Sequence, residues 1–202
     1  MRWGFIGTGR IAERIMAAFA LLPDSQVTAV YSRNQEAMEA FCGRWKIPKH
    51  YGSIEELAGD KEVDILYLAT PHIVHLEHFQ RAVEAGKPIL CEKPMGMSEE
   101  ETRQMVRLAE EKGIFLMEGL WTRFFPIYGW LNDLIASGRM GRPYNVMADF
   151  SYHSPYDPSL RFFRKELGGG AMRGAGIYPL SLAVQIFGSA PCEIQAMADM
   201  KN

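Results

Sequence analysis

One segment limits the fold more than any other. Arg2-Trp3-Gly4-Phe5-Ile6 reads as a short buried strand. Gly7-Thr8-Gly9-Arg10-Ile11-Ala12 follows without a gap, and Ala12 to Leu22 reads as an amphipathic helix. Strand, glycine turn and helix in this order match the G-x-G-x-x-G/A turn that holds a dinucleotide pyrophosphate. The first glycine permits the tight turn, and the second lets phosphate approach the backbone. Small Ala12 lets the helix close on the strand, so that its N-terminal amides and dipole face an anion. Purely structural glycine turns share this pattern, so the context has to decide.

The context is a run of alternating strand and helix signals. Strands are expected at Gln26–Tyr31, Val63–Ala69, Pro88–Cys91 and Ile114–Met117. Helices are expected at Gln35–Trp45, Ile54–Leu57, His75–Ala85 and from Ser98 to Lys112. Ser98-Glu99-Glu100-Glu101 has the spacing of a capping box. Val63 to Ala69 is apolar except for Asp64, as a strand covered on both faces requires. Repeated β-α-β units predict a doubly wound parallel sheet, a Rossmann fold, over residues 1–118.

The texture changes after Glu118. Trp121 to Pro126 is aromatic and basic, and Ile127–Ser137 and Pro179–Phe187 read as helices. Asn145–His153 and Glu193–Met200 look strand-like. A partial α+β domain with an open, mainly antiparallel sheet is therefore expected over residues 119–202. Such a sheet, left incomplete, would have sticky exposed edges.

Composition excludes several partners. The chain has 202 residues, 48% of them hydrophobic, and a formal net charge of −2 with the signs mixed. That argues against nucleic acid and a membrane surface. No apolar run approaches the roughly 18 residues of a membrane span. Cys42, Cys91 and Cys192 are widely spaced, which fits reduced thiols in a cytoplasm. His72, His75 and His78 recur every three residues, but no carboxylate or thiol joins them at metal-binding spacing, so no metal is expected.

The end of the second strand bears on the choice of nucleotide. An NAD site usually places an acid there, which would repel a 2′-phosphate. Here the strand ends Tyr31-Ser32-Arg33-Asn34. A hydroxyl and a guanidinium suit that phosphate, so NADP is expected over NAD, with Arg33 the main determinant. An exposed loop arginine is the plain alternative. Two further segments fall at parallel strand ends, where open α/β sheets bind ligands: Ala69-Thr70-Pro71-His72-Ile73-Val74-His75 and Cys91-Glu92-Lys93-Pro94. An ammonium at Lys93 can orient a substrate hydroxyl and ease its proton loss.

These residues carry a family resemblance. Gly7-x-Gly9-x-x-Ala12, Thr70-Pro71-x-x-x-His75, Ala85-Gly86-Lys87-Pro88 and Glu92-Lys93-Pro94 resemble the glucose–fructose oxidoreductase / inositol dehydrogenase family. Within it, Trp121-Thr122-Arg123-Phe124-Phe125-Pro126 and Gly176-Ile177-Tyr178 look like the branch of dimeric dihydrodiol dehydrogenases and NADP-linked aldose dehydrogenases. The resemblance implies hydride transfer between nicotinamide and a CH–OH group of a sugar, polyol or dihydrodiol. It makes Lys93 and Tyr178 catalytic and places Phe150 and Tyr178 in the substrate pocket. Cofactor contacts would come from Gly7, Thr8, Gly9, Arg10, Ile11, Ser32, Arg33, Thr70, His72, His75, Glu92, Lys93, Trp121 and Arg123. Read without the resemblance, Tyr178 is better explained as a core residue at a helix start, and Trp121, Phe124 and Phe125 can be a plug between domains. A homo-oligomer through the C-terminal sheet is a family expectation.

One position departs from the pattern. After Gly168-Gly169-Gly170 the family places an aspartate four residues before Tyr178, where this chain has Gly174. Glycine can neither bind a substrate hydroxyl nor tune the acid. An NADP-binding sensor or regulator with impaired catalysis is therefore the alternative to an active enzyme.

Overall fold

The computed structural model describes residues 1–198 and divides into two compact units. The first comprises Met1–Leu120 with Lys165–Gly168, and the second Trp121–Arg164 with Gly169–Asn202.

The first unit is built on one six-stranded parallel sheet. Its strands are β1 (Arg2–Ile6), β2 (Gln26–Tyr31), β3 (Lys49–Tyr51), β4 (Ile65–Leu68), β5 (Ile89–Cys91) and β6 (Leu116–Glu118), in the order β3-β2-β1-β4-β5-β6. The order reverses between β1 and β4, which pair from Trp3↔Ile65 to Ile6↔Leu68. A crevice opens at the carboxyl ends of strands at such a reversal. The helices are α1 (Arg10–Phe19), α2 (Gln35–Trp45), α3 (Ile54–Gly59), α4 (His75–Val83) and α5 (Glu99–Glu111). Two apolar clusters cover the sheet. One gathers Ile6, Leu66, Leu68, Phe79, Ile89 and Met105, and the other Phe5, Ala12, Val30, Phe41 and Tyr67. Successive strand residues point to opposite faces, so a sheet covered twice needs apolar residues at nearly every position.

Sequence and structure differ in details here. β3, Lys49-His50-Tyr51, is polar and only partly buried, so no apolar run marks it in the sequence. The Ser98 hydroxyl accepts from the Glu101 amide at 3.2 Å, as expected. The Glu101 carboxylate, however, takes the Met97 amide at 2.7 Å, so the box closes one residue early. The complete capping box belongs to Ser53 and Glu56 at α3.

In the second unit a 3₁₀ turn (Trp121–Phe124) leads into α6 (Pro126–Ala136), and a π-helical turn (Met172–Gly176) leads into α7 (Ile177–Phe187). The Gln185 amide donates to Asn132 Oδ1 at 2.8 Å and ties α7 to α6. The expected antiparallel sheet does not form among the described residues. Residues 145–153 form no strand and are mostly exposed, and residues 193–198 form none either. Residues 199 and 200 of the second expected strand lie outside the described residues. Alternating polarity makes a strand only where a neighbour takes its N–H and C=O groups, and no such neighbour is present here.

Candidate nucleotide cleft and strand-end site

A cleft of about 260 Å³ lies in the first unit, lined by Gly7, Thr8, Gly9, Tyr31, Ser32, Arg33, Ala37, Ala69, Thr70, Pro71 and His78. Gly7 has φ +106°, and a Cβ there would lie 3.0 Å from Thr70 Cγ2 and 3.1 Å from the Ala69 carbonyl. Only glycine fits without displacing the turn after β4. A Cβ at Gly9 would meet nothing within 4 Å, so that face of the turn is open to a ligand. The helix starts sharpen the point. Asn34, Ser53 and Ser98 cap α2, α3 and α5 with side-chain oxygens, whereas Gly9 leaves the first turn of α1 uncapped. Those amide donors and the helix dipole suit a phosphate group. No Asp or Glu lines the cleft. Arg10 and Ile11 open α1 without lining it.

The expected residues after β4 and β5 form a network beside this cleft. The His75 ring is buried. Its Nε2 lies 2.8 Å from the Thr70 carbonyl oxygen, and its Nδ1 lies 3.1 Å from those of Pro94 and Met95. The imidazole thus sits between the two strand-end loops and, when neutral, donates to one of them. Buried His72 places Nε2 2.9 Å from the Gly168 carbonyl oxygen. Gly168 has φ +72°, and a Cβ there would lie 2.1 Å from that same nitrogen. The Tyr67 hydroxyl donates to Glu92 Oε1, and Glu92 Oε2 accepts from the Lys93 amide at 3.2 Å. Burial pushes the Glu92 carboxyl above its usual range, and Tyr67 and the Lys93 amide partly oppose the shift. Burial also raises the Tyr67 phenol and the Cys91 thiol. Lys93 is half-buried and joined to Pro94 by a cis peptide bond.

Within the second unit the Trp121 indole donates to the Tyr178 hydroxyl oxygen at 3.0 Å. The Phe150 ring packs against Tyr178 with centroids 5.0 Å apart. The Arg123 Nε donates to the Ser181 hydroxyl at 3.2 Å. Two of the expected residues, Trp121 and Phe150, thus each contact a third, Tyr178. Gly174 sits inside the π-helical turn, and a Cβ there would meet nothing within 4 Å. Glycine is not required at 174 by packing.

Tyr31, Ala37 and His78 also line the cleft, and no motif in the sequence marks them as cleft residues. His78 stands out in the sequence only as the third of three spaced histidines. Among the described residues, no group of three or more His, Cys, Asp or Glu is placed to hold a metal ion. None of the described helices is long and apolar enough to cross a membrane.

Glycine turn, strand order and cleft together define a dinucleotide-binding Rossmann-fold protein. Residues 1–120 match the family described as "Oxidoreductase family, NAD-binding Rossmann fold", and residues 128–202 match its C-terminal domain. The chain belongs to this GFO/IDH/MocA oxidoreductase family. It is 36% identical over 198 residues to a trans-1,2-dihydrobenzene-1,2-diol dehydrogenase of Xenopus laevis, covering 96% of this chain and 59% of that one. An aldose-aldose oxidoreductase of Caulobacter crescentus, solved with glycerol, superposes with a TM-score of 0.79 at 26% identity over 93% of this chain and 58% of that one. A mutant 3-ketoreductase of Actinomadura kijaniata, in complex with TDP-benzene and NADP, gives 0.75 at 28% identity over 94% and 57%. The chain therefore spans less than two thirds of these relatives.

Proposed function

We propose that the chain is the nucleotide-binding part, and a portion of the substrate-binding part, of an NADP-dependent dehydrogenase. Residues 1–118 would hold the cofactor, and residues 119–202 would contribute to the substrate pocket. The substrate class is a sugar, polyol or dihydrodiol bearing a CH–OH group. The observation that carries the nucleotide reading is the cleft, with Ser32 and Arg33 in its wall and no carboxylate beside them. A neutral hydroxyl and a cation favour a ribose 2′-phosphate, which a carboxylate would repel. The NADP in the ketoreductase complex and the dihydrodiol in the Xenopus enzyme's name support the same reading. The three free cysteines fit a reducing compartment such as the cytoplasm.

Bound nicotinamide would supply a hydride donor or acceptor. The chain's own residues would handle orientation and protons. The uncapped first turn of α1 holds the pyrophosphate, and Ser32 and Arg33 hold the ribose phosphate. Tyr178 exchanges the substrate hydroxyl proton, its oxygen directed by the Trp121 indole. The Lys93 ammonium stabilises charge on the substrate oxygen, and Glu92 and Tyr67 fix the backbone from which it projects. Both assignments, Lys93 and Tyr178, rest on the family resemblance.

The test has two stages. Fluorescence titration of the purified chain should show NADPH binding more tightly than NADH. A panel of aldoses and dihydrodiols should then change NADPH absorbance. Equal affinity for the two nucleotides would sink the NADP reading. Gly174 favours a second reading, an NADP-binding sensor, which would bind NADPH but give no absorbance change with any substrate.

A further inference from the structure

The His78 side chain is almost fully buried, yet it lines the cleft that holds Ser32 and Arg33. Its Nδ1 lies 3.1 Å from the Thr70 hydroxyl oxygen. A hydroxyl can donate to a bare ring nitrogen or accept from a protonated one, so Thr70 accommodates both states of the ring. No hydrogen bond engages Nε2 among the described residues. We propose that His78 is a second determinant of the nucleotide, a ring that takes up a proton when a ribose 2′-phosphate enters the cleft. The proposal rests on the NADP reading and adds to Arg33 a charge that exists only when the phosphate is bound.

The surroundings explain why the charge would be conditional. Burial lowers the proton affinity of His78, and Arg81, Arg33 and His75 lower it further, while Glu77 alone raises it. Glu77, Arg81 and His75 belong to the ring's own helix α4, and Arg33 faces it from the turn after β2. Tyr31 lines the same cleft. Without an anion, a second cation beside Arg33 is disfavoured. A phosphate between them reverses the balance, because an opposite charge within a few ångströms favours the protonated ring. A permanent cation in place of His78 would repel Arg33 whenever the cleft held no anion.

The probes are adenosine 2′,5′-bisphosphate and 5′-AMP, which differ by the 2′-phosphate alone. NMR titration of His78 in the unaltered chain should show its midpoint rising by about one pH unit with the bisphosphate and staying put with AMP. His78→Gln should weaken the bisphosphate roughly tenfold near pH 6, and far less near pH 8.5, while AMP binding holds. The NMR measurement needs no variant, so it decides the matter even if His78→Gln misfolds. A midpoint that ignores the bisphosphate overturns the proposal. Equal loss of both ligands in His78→Gln also overturns it, leaving a packing role. If the unaltered chain does not prefer the bisphosphate to AMP, the NADP reading itself fails. If it does prefer it while His78 is silent, only the present inference fails.

Discussion

The two units of this chain carry their chemistry on very different foundations. In the first, the cleft residues stand on a sheet whose two faces are covered, with Phe5, Ile6, Leu66, Leu68, Phe79 and Ile89 fully enclosed. In the second, Ala175 is the one buried residue among those described, and Trp121, Phe124, Trp130, Tyr144 and Met147 are exposed. The aromatic group around Tyr178 is nevertheless ordered by specific contacts, an indole hydrogen bond and a ring stack. The contrast separates two ways of fixing a functional side chain. One seats it on an enclosed core, and the other ties it to neighbours on an exposed surface.

The largest expected effect tests the difference in core directly. Phe79→Ala should cost about 3–5 kcal/mol by chemical denaturation, because the ring is wholly enclosed and leaves a cavity. Phe187→Ala, at a half-exposed ring in α7, should cost about 1 kcal/mol or less. Equal costs would mean that the second unit is as firmly packed as the first.

Two glycines sharpen the comparison. Gly168→Ala should destabilise by about 2–4 kcal/mol, since its Cβ would overlap the His72 ring and its φ is positive. Gly174→Asp meets open space and should be neutral or stabilising by up to about 0.5 kcal/mol in a thermal melt. If Gly174 is what limits turnover, the same variant should raise the rate across a sugar and dihydrodiol panel.

Arg33→Ala should lower the NADP-to-NAD affinity ratio about tenfold with little change in stability, as measured by equilibrium binding. An unchanged ratio would leave Arg33 as an ordinary loop residue.

The smallest effect concerns acid stability of the first unit. Asp60 accepts from the Glu62 amide, the Tyr51 hydroxyl and the Lys49 ammonium, and these hold its carboxyl at about 2, below the usual 3.8. Its folded value is depressed, so its contribution is present above pH 3.8 and fades as pH falls toward about 2. Asp60→Asn should flatten the stability-versus-pH curve in that window and leave the slope near neutrality alone. Urea midpoints at several acid pH values would check this.

How much of this was legible in the sequence depends on how local the signal is. Strands β1, β2, β4, β5 and β6 and their helices could be read because each strand is a local apolar run and most of the helices carry an apolar period or a capping side chain. The alternation at 145–153 misled, because a strand is a relation between segments and no second segment pairs with it in the described residues. The glycine turn could be read from spacing alone. The commitment of His72 to Gly168 could not, since 96 residues separate them. Nor could the place of His78 in the cleft, which depends on where α4 lies against the turn after β2. Gly174 stood out against a family pattern, but only the geometry reveals room for a side chain there.

The four residues Lys165–Gly168 belong to the first unit, although they are embedded in the sequence of the second. The backbone therefore passes from one unit to the other three times rather than once. A protease cut after Leu120 would release a Rossmann sheet lacking the carbonyl group that His72 faces. A single junction at Leu120 therefore does not delimit the nucleotide unit: joined there to another chain, its His72 ring would face whatever that chain supplies in place of the Gly168 carbonyl.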